Sequence, residues 1–233
     1  MKSRFMNLFS TPVTLTNIGR DFTEDELQLC KTDIPLFKDE ENAMQNHQSQ
    51  DFYLFDNFVE LKNIKNFCEH QLEQYLKDIE GVDIDLATLR ITQAWLNKNK
   101  PQEFHSQHLH PNSYLSGVFY INCLPNDGIN FTNRTLGNYN SIKFPLKKIT
   151  DWNTEGAMIN IKEGDFIMFP SHVLHEVARN ETEDQERISL SFDTWPTCVP
   201  SLYPPFGRWS SSKLDPVSEE DIELEKKRPR NIG

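Results

Sequence analysis

Five of the chain's seven histidines fall in two short clusters, His105-Ser106-Gln107-His108-Leu109-His110 and His172-Val173-Leu174-His175. An Arg187-Ile188-Ser189 triplet follows the second cluster by twelve residues. Imidazole is the commonest protein ligand for zinc, copper, iron and nickel, so this distribution predicts a metal site assembled from two distant strands. Alternate residues of a strand share a face, which lets His108 and His110 grip one ion together. His175 supplies the third contact. His105 falls on the opposite parity of a regular strand and reads as a neighbour of the site or a group facing the substrate. His172 reads as a loop histidine.

The strands that must carry these groups can be read from apolar periodicity. In Leu115-Ser116-Gly117-Val118-Phe119-Tyr120-Ile121-Asn122, alternation puts Ser116, Val118, Tyr120 and Asn122 on one face and Leu115, Gly117, Phe119 and Ile121 on the other. By the same count Arg187, Ser189, Ser191 and Asp193 share a face opposite Ile188, Leu190 and Phe192. A guanidinium on an inward strand face needs a partner, and a bound carboxylate would be one. Leu89 to Trp95, Met158 to Ile161 and Asp165 to Phe169 read as further strands, bounded by turn signals such as Pro125-Asn126-Asp127-Gly128 and Glu163-Gly164.

Upstream, Phe58, Leu61, Ile64, Cys68, Leu72 and Leu76 recur at three- and four-residue intervals, predicting an amphipathic helix capped by Asn57 and ending near Gly81. His70 lies off its apolar stripe and His47 sits in a polar stretch, so both are expected to be solvated. The first fifty residues read as peripheral, with one strand and a short helix near Glu24 to Leu29. One helix followed by many short strands indicates a mainly β domain with helices packed outside. We expect one globular unit, with residues 1–86 an N-terminal extension and supporting helix, 87–195 the β core and 196–233 a charged arm or tail. The Lys226 to Arg230 cluster at its end reads as a solvated terminus.

The composition narrows the function classes. The formal net charge of -11 argues against nucleic acid as a partner, because phosphate backbones are bound through Lys and Arg. No apolar run approaches the ~20 residues that span a bilayer, and the first residues do not resemble a secretory signal. Cys30, Cys68, Cys123 and Cys198 are widely spaced with no C-x-x-C pair, which suits reduced thiols in a cytoplasmic, non-membrane protein.

Taken in order, His108-x-His110, a strand running to Tyr120-Ile121-Asn122, the Gly164 to Pro170 strand, a distal His175 and Arg187-x-Ser189 resemble the Fe(II)/2-oxoglutarate-dependent oxygenases. More narrowly, His108-x-His110-Pro111-Asn112-Ser113 with Ser116-Gly117-Val118-x-Tyr120 resembles a bacterial and phage branch of that superfamily, which would place the protein in a host's cytoplasm if phage-encoded. The likeness covers roughly Arg90 to Trp195. It implies a double-stranded β-helix, a jelly roll of the cupin-like kind, holding Fe(II), with 2-oxoglutarate and O2 as co-substrates. Carried over by position, His108 and His175 are iron ligands, Arg187 and Ser189 bind the co-substrate carboxylate, and Tyr120 assists. The family pattern has Asp or Glu where this chain has His110. Either His110 is the third ligand in an all-imidazole site, or the carboxylate comes from elsewhere, or the position is vacant. The hydroxylated substrate is open among protein side chains, free amino acids and small metabolites, and a homodimer is also open. Two other readings compete: a cupin-type metalloprotein that does not use 2-oxoglutarate, and a non-catalytic binding module with a decayed site. The first lacks the Glu a cupin box carries after His-x-His and leaves Arg187-x-Ser189 without a role.

Overall fold

The computed structural model describes residues 10–38, 44–85, 87–133, 145–150 and 153–198. The alternation read in the strands is what builds the fold. Eight strands form the core: β5 (Ala87–Asn99), β6 (Phe104–His108), β7 (Leu115–Asn122), β8 (Gly128–Thr132), β9 (Gly156–Asn160), β10 (Asp165–Pro170), β11 (Leu174–Val177) and β12 (Arg187–Cys198). They are preceded by β1 (Thr14–Asn17), β2 (Leu36–Lys38), β3 (Met44–Gln45) and β4 (His47–Ser49). Among the described residues these make a seven-stranded sheet in the order β1-β10-β7-β12-β5-β4-β2 and a five-stranded sheet in the order β3-β6-β11-β8-β9. Every named pair is antiparallel. Apart from the adjacent pair β8 and β9, consecutive core strands alternate between the two sheets in the manner of a double-stranded β-helix, as the resemblance implied.

Strands β7 and β10 divide their side chains between two apolar layers, while β12 turns its apolar face to the first of them and its polar face to the space between the sheets. Phe119 and Ile121 of β7, Phe166 and Met168 of β10, and Ile188, Leu190 and Phe192 of β12 face a cluster closed by the helices. Val118 and Tyr120, with Ile167 and Phe169, face the other way into the space between the sheets. Helix α3 (Lys62–Asp78) covers the outer layer with Ile64, Cys68, Leu72, Tyr75 and Leu76. The predicted stripe is therefore the buried one, and His70 is exposed. Among the described residues no helix is long and apolar enough to cross a membrane.

Gly117 shows how tightly the outer layer is filled. A Cβ at this position would lie 2.3 Å from Cζ of Phe192 and 2.8 Å from Cε2 of Phe166. The two rings stack with centroids 5.6 Å apart, so neither can retreat without disturbing the other. Gly117→Ala is expected to cost about 1–3 kcal/mol as overpacking, to be measured by denaturant unfolding.

Two sequence expectations need correction. Asn57 does not cap the long helix; it ends a short one, α2 (Leu54–Asn57), and its side chain donates to Asp51 Oδ2 at 2.7 Å. Asn competes for local turn bonds of this kind, and a 3-10 turn at Val59–Leu61 then leads into α3. The polar stretch before residue 50 is not peripheral, since β4 joins the larger sheet beside β5 and β3 joins the smaller beside β6. His47 is consequently half-buried and not solvated, with Nδ1 3.0 Å from Glu103. Glu103 also receives Lys38 Nζ at 3.0 Å and the Lys100 amide at 2.9 Å, so polar bonding takes the place of apolar alternation there. The short helix Glu24–Gln28 forms as expected, held by a Thr23–Glu26 capping box. The charged tail, the Lys226 to Arg230 cluster included, lies outside the described residues.

Candidate metal centre

The register between β6 and β11 places His108 directly opposite His175, with ring centroids 4.2 Å apart. The strand stops at His108, so His110 is not its strand partner as the spacing suggested. Instead the His110 amide donates to the Ser171 carbonyl at 3.0 Å in the turn beyond, and the ring swings back beside His175. The Nε2 atoms of His110 and His175 are 3.2 Å apart. One ligand atom from each of His108, His110 and His175 lies within 4.8 Å of the others.

What makes this cluster chemically specific is the other nitrogen of each ring. His108 Nδ1 lies 2.8 Å from the Ser106 carbonyl, His175 Nδ1 2.9 Å from the Val173 carbonyl and His110 Nδ1 2.9 Å from Asp193 Oδ1. Carbonyls and carboxylates only accept, so each Nδ1 carries the proton and each Nε2 presents a lone pair. With both rings neutral, the His110–His175 contact sets one lone pair against another, an arrangement that a cation bound between them relieves.

Burial and the neighbouring imidazoles keep the His108 and His175 rings neutral. Desolvation, seconded by His110, lowers the pKa of His108 to about 4, although the Ser106 carbonyl and Asp193 pull it upward. Desolvation and the other rings take His175 to about 2. At neutral pH the lone pairs of His108 and His175 are available without displacing a proton. His105 stacks on His108 with centroids 3.9 Å apart, and burial brings its pKa to about 3. It is a neighbour of the cluster, as read from the sequence. His172 is exposed and, with His110 and the 109–115 segment, lines a cleft of about 440 Å³.

Asp193 is the support that the sequence reading placed on the right face but gave no role. Its Oδ1 accepts from Ser116 Oγ at 2.7 Å, and Ser116 Oγ lies 2.8 Å from Ser171 Oγ, which donates to Ser113 Oγ at 2.8 Å. Ser116 and Ser113 of the quoted motifs, linked through Ser171, therefore support the carboxylate that orients His110, as hydrogen-bond partners commonly do around metal-binding imidazoles.

A narrow cavity of about 30 Å³ runs from the histidines down between the sheets, lined by Trp95, Asn97, Asn99, Tyr120, Arg187 and Ser189 among others. Strand register builds its wall, because Asn99, Asn97 and Trp95 of β5 sit opposite Arg187, Ser189 and Ser191 of β12. The structure thus brings Tyr120, Arg187 and Ser189 together as expected, and adds Trp95, Asn97 and Asn99. Arg187 already has an acid: its Nε donates to Asp127 Oδ2 at 2.9 Å, and its Nη2 donates to Asp127 Oδ1 and, at 2.7 Å, to the Gly128 carbonyl. The sequence showed Asp127 only as part of a turn.

Among the described residues six buried side-chain atoms lack a hydrogen-bond partner, and four of them line this cavity: Trp95 Nε1, Asn99 Nδ2, His105 Nε2 and Tyr120 OH. Burial pushes the Tyr120 pKa up, keeping the hydroxyl protonated. Trp Nε1 and amide Nδ2 only donate, so this wall suits an acceptor-rich ligand.

A family model described as "Putative 2OG-Fe(II) oxygenase" matches residues 93–193. No curated protein matches the chain. Among solved structures, a 2OG-Fe(II) oxygenase family oxidoreductase from Burkholderia pseudomallei is 15% identical with a TM-score of 0.52, covering 78% of this chain and 84% of its own. A Pseudomonas putida prolyl-4-hydroxylase is 14% identical with a TM-score of 0.51, covering 79% and 92%. A Trichoplax adhaerens prolyl hydroxylase in complex with a hypoxia inducible factor peptide fragment is 10% identical with a TM-score of 0.54, covering 78% and 83%. At these identities the likeness establishes the fold, while the family match falls on the strands that carry the histidines and the arginine. Residues 93–193 thus match the 2OG-Fe(II) oxygenase model, and the chain shares the fold of solved 2OG-Fe(II) oxygenases.

Proposed function

We propose that His108, His110 and His175 hold Fe(II) and that Arg187, Ser189 and Tyr120 receive the distal carboxylate of 2-oxoglutarate. The enzyme then hydroxylates a C–H bond of a protein side chain or a small molecule. The observation that carries this reading is the convergence of one ring nitrogen from each of His108, His110 and His175 within 4.8 Å, with each ring held through Nδ1. Iron bound there supplies the redox activation of O2 coupled to decarboxylation of 2-oxoglutarate, which no side chain provides.

The protein's own contribution is binding, orientation and dryness. Three neutral imidazoles leave the dication with one more positive charge than the usual two-histidine, one-carboxylate set. Asp193, 2.9 Å from His110, returns a negative charge one bond further out. Val118, Ile129, Phe131 and Phe169 of the layer between the sheets pack about the site and exclude water from it. The unpartnered donors match a dicarboxylate in kind.

Anaerobic Fe(II) titration with and without 2-oxoglutarate tests the proposal. The expected result is one iron per chain and a visible metal-to-ligand charge-transfer band that needs both components. Iron binding without the band would remove 2-oxoglutarate from the reading, and failure to bind iron would remove the metal site.

A further inference from the structure

We infer that Asp127 is a positioning residue that neutralises Arg187 in advance, so that the co-substrate's distal group is recognised by hydrogen bonding more than by ion pairing. The inference rests on the assignment of the Arg187 pocket to 2-oxoglutarate made above. Arg187 is 2% and Asp127 8% exposed, so the pair is desolvated on both sides.

The carboxylate belongs to the β7–β8 turn independently of the arginine. Asp127 Oδ2 accepts from the Leu124 amide at 3.1 Å, Oδ1 accepts from the Gly128 amide at 2.9 Å, and the Asp127 amide donates to the Leu124 carbonyl at 3.2 Å. Asn126 turns the chain there at a φ of 57°. Asp127 therefore cannot swing aside for a ligand without breaking the turn. The Nε and Nη2 edge of Arg187 stays committed, and the two-point pairing that a guanidinium offers a free carboxylate is already spent on that edge.

Neutral donors surround what remains. Asn99 lies opposite Arg187 in register with Nδ2 unpartnered, and Tyr120 lies opposite Ser189 with its hydroxyl unpartnered. The guanidinium carbon is 5.9 Å from the Tyr120 ring centroid. Donors of this kind also serve an amide oxygen, and the stronger bonds that they make to a carboxylate are offset by its larger desolvation cost. A dianion arriving here meets an ion pair and not a bare cation, so charge contributes little to its selection.

The test is calorimetry on the Mn(II)-loaded full chain, with 2-oxoglutarate and with its distal monoamide as probes. The parent is expected to prefer the carboxylate by less than about tenfold, since charge-pair coupling is worth far more than that only where a buried charge lacks its partner. A larger preference overturns the inference. Asp127→Asn preserves shape and removes the charge, leaving Arg187 to be compensated by the ligand. It should tighten 2-oxoglutarate binding and raise the carboxylate-to-amide ratio at least about tenfold. A merely structural role would weaken both ligands alike, and an unchanged ratio overturns the assignment. If that variant does not fold, the parent's ratio decides alone. Should neither probe bind the parent, the 2-oxoglutarate reading falls and this inference with it. That outcome is distinct from strong carboxylate selection, which sinks only the role of Asp127.

Discussion

Replacing His110 by alanine is expected to weaken Fe(II) binding by more than the roughly 10–100-fold that losing an outer-shell partner costs, and to abolish turnover. Alanine removes one of the three Nε2 lone pairs and leaves Asp193 without the N–H it now faces at 2.9 Å. His110→Asp should retain iron, because it restores a carboxylate at the position where the superfamily has one. That carboxylate would face Asp193 across a short gap. The paired variant His110→Asp with Asp193→Asn is therefore expected to bind iron more tightly than His110→Asp alone. Anaerobic titration reads all three. If His110→Ala binds iron like the parent, His110 is not a ligand, and the third contact moves to His105, whose Nε2 is buried without a partner.

Arg187→Ala should have the second-largest effect, and it should register in stability as well as in ligand binding. Removing the guanidinium strands a buried carboxylate, a change that costs about 3–5 kcal/mol where no other partner remains. Asp127 keeps two backbone amides, so the lower end of that range is expected. The affinity for 2-oxoglutarate should fall ~10–100-fold, the worth of one or two hydrogen bonds to a charged group. Iron binding should change little, because Asp193, which orients His110, lies six residues further along β12. Adding Asp127→Asn to Arg187→Ala should recover stability without recovering co-substrate affinity. Denaturant unfolding and calorimetry separate the two effects. Unchanged 2-oxoglutarate affinity in Arg187→Ala would take the arginine out of the site.

Much of this site was legible as one-dimensional pattern. Period-two alternation in β7 and β12 assigned each side chain to a layer, because a pleated strand between two apolar layers has no other way to dispose of its residues. The helix stripe from Ile64 to Leu76 was legible for the same reason at a different period. His47 was misread because a strand as short as β4 carries little apolar signal. Its burial follows from Glu103, fifty-six residues away, and from pairing with β5.

The sequence by itself determined which residues could do the chemistry: three imidazoles of ligand type, an arginine and a serine in phase, and a tyrosine on an inward face. Their types and local spacing are properties of single segments. Tertiary structure alone decided what each would meet. The β6–β11 register set His108 against His175, the turn after β6 brought His110 to the same point, and the β5–β12 register lined the cavity with Asn99, Asn97 and Trp95. It also gave Arg187 an acid from a turn sixty residues earlier in the chain. Cross-strand partners are chosen by register, and register is the joint outcome of long-range packing and turn geometry, which no local pattern encodes.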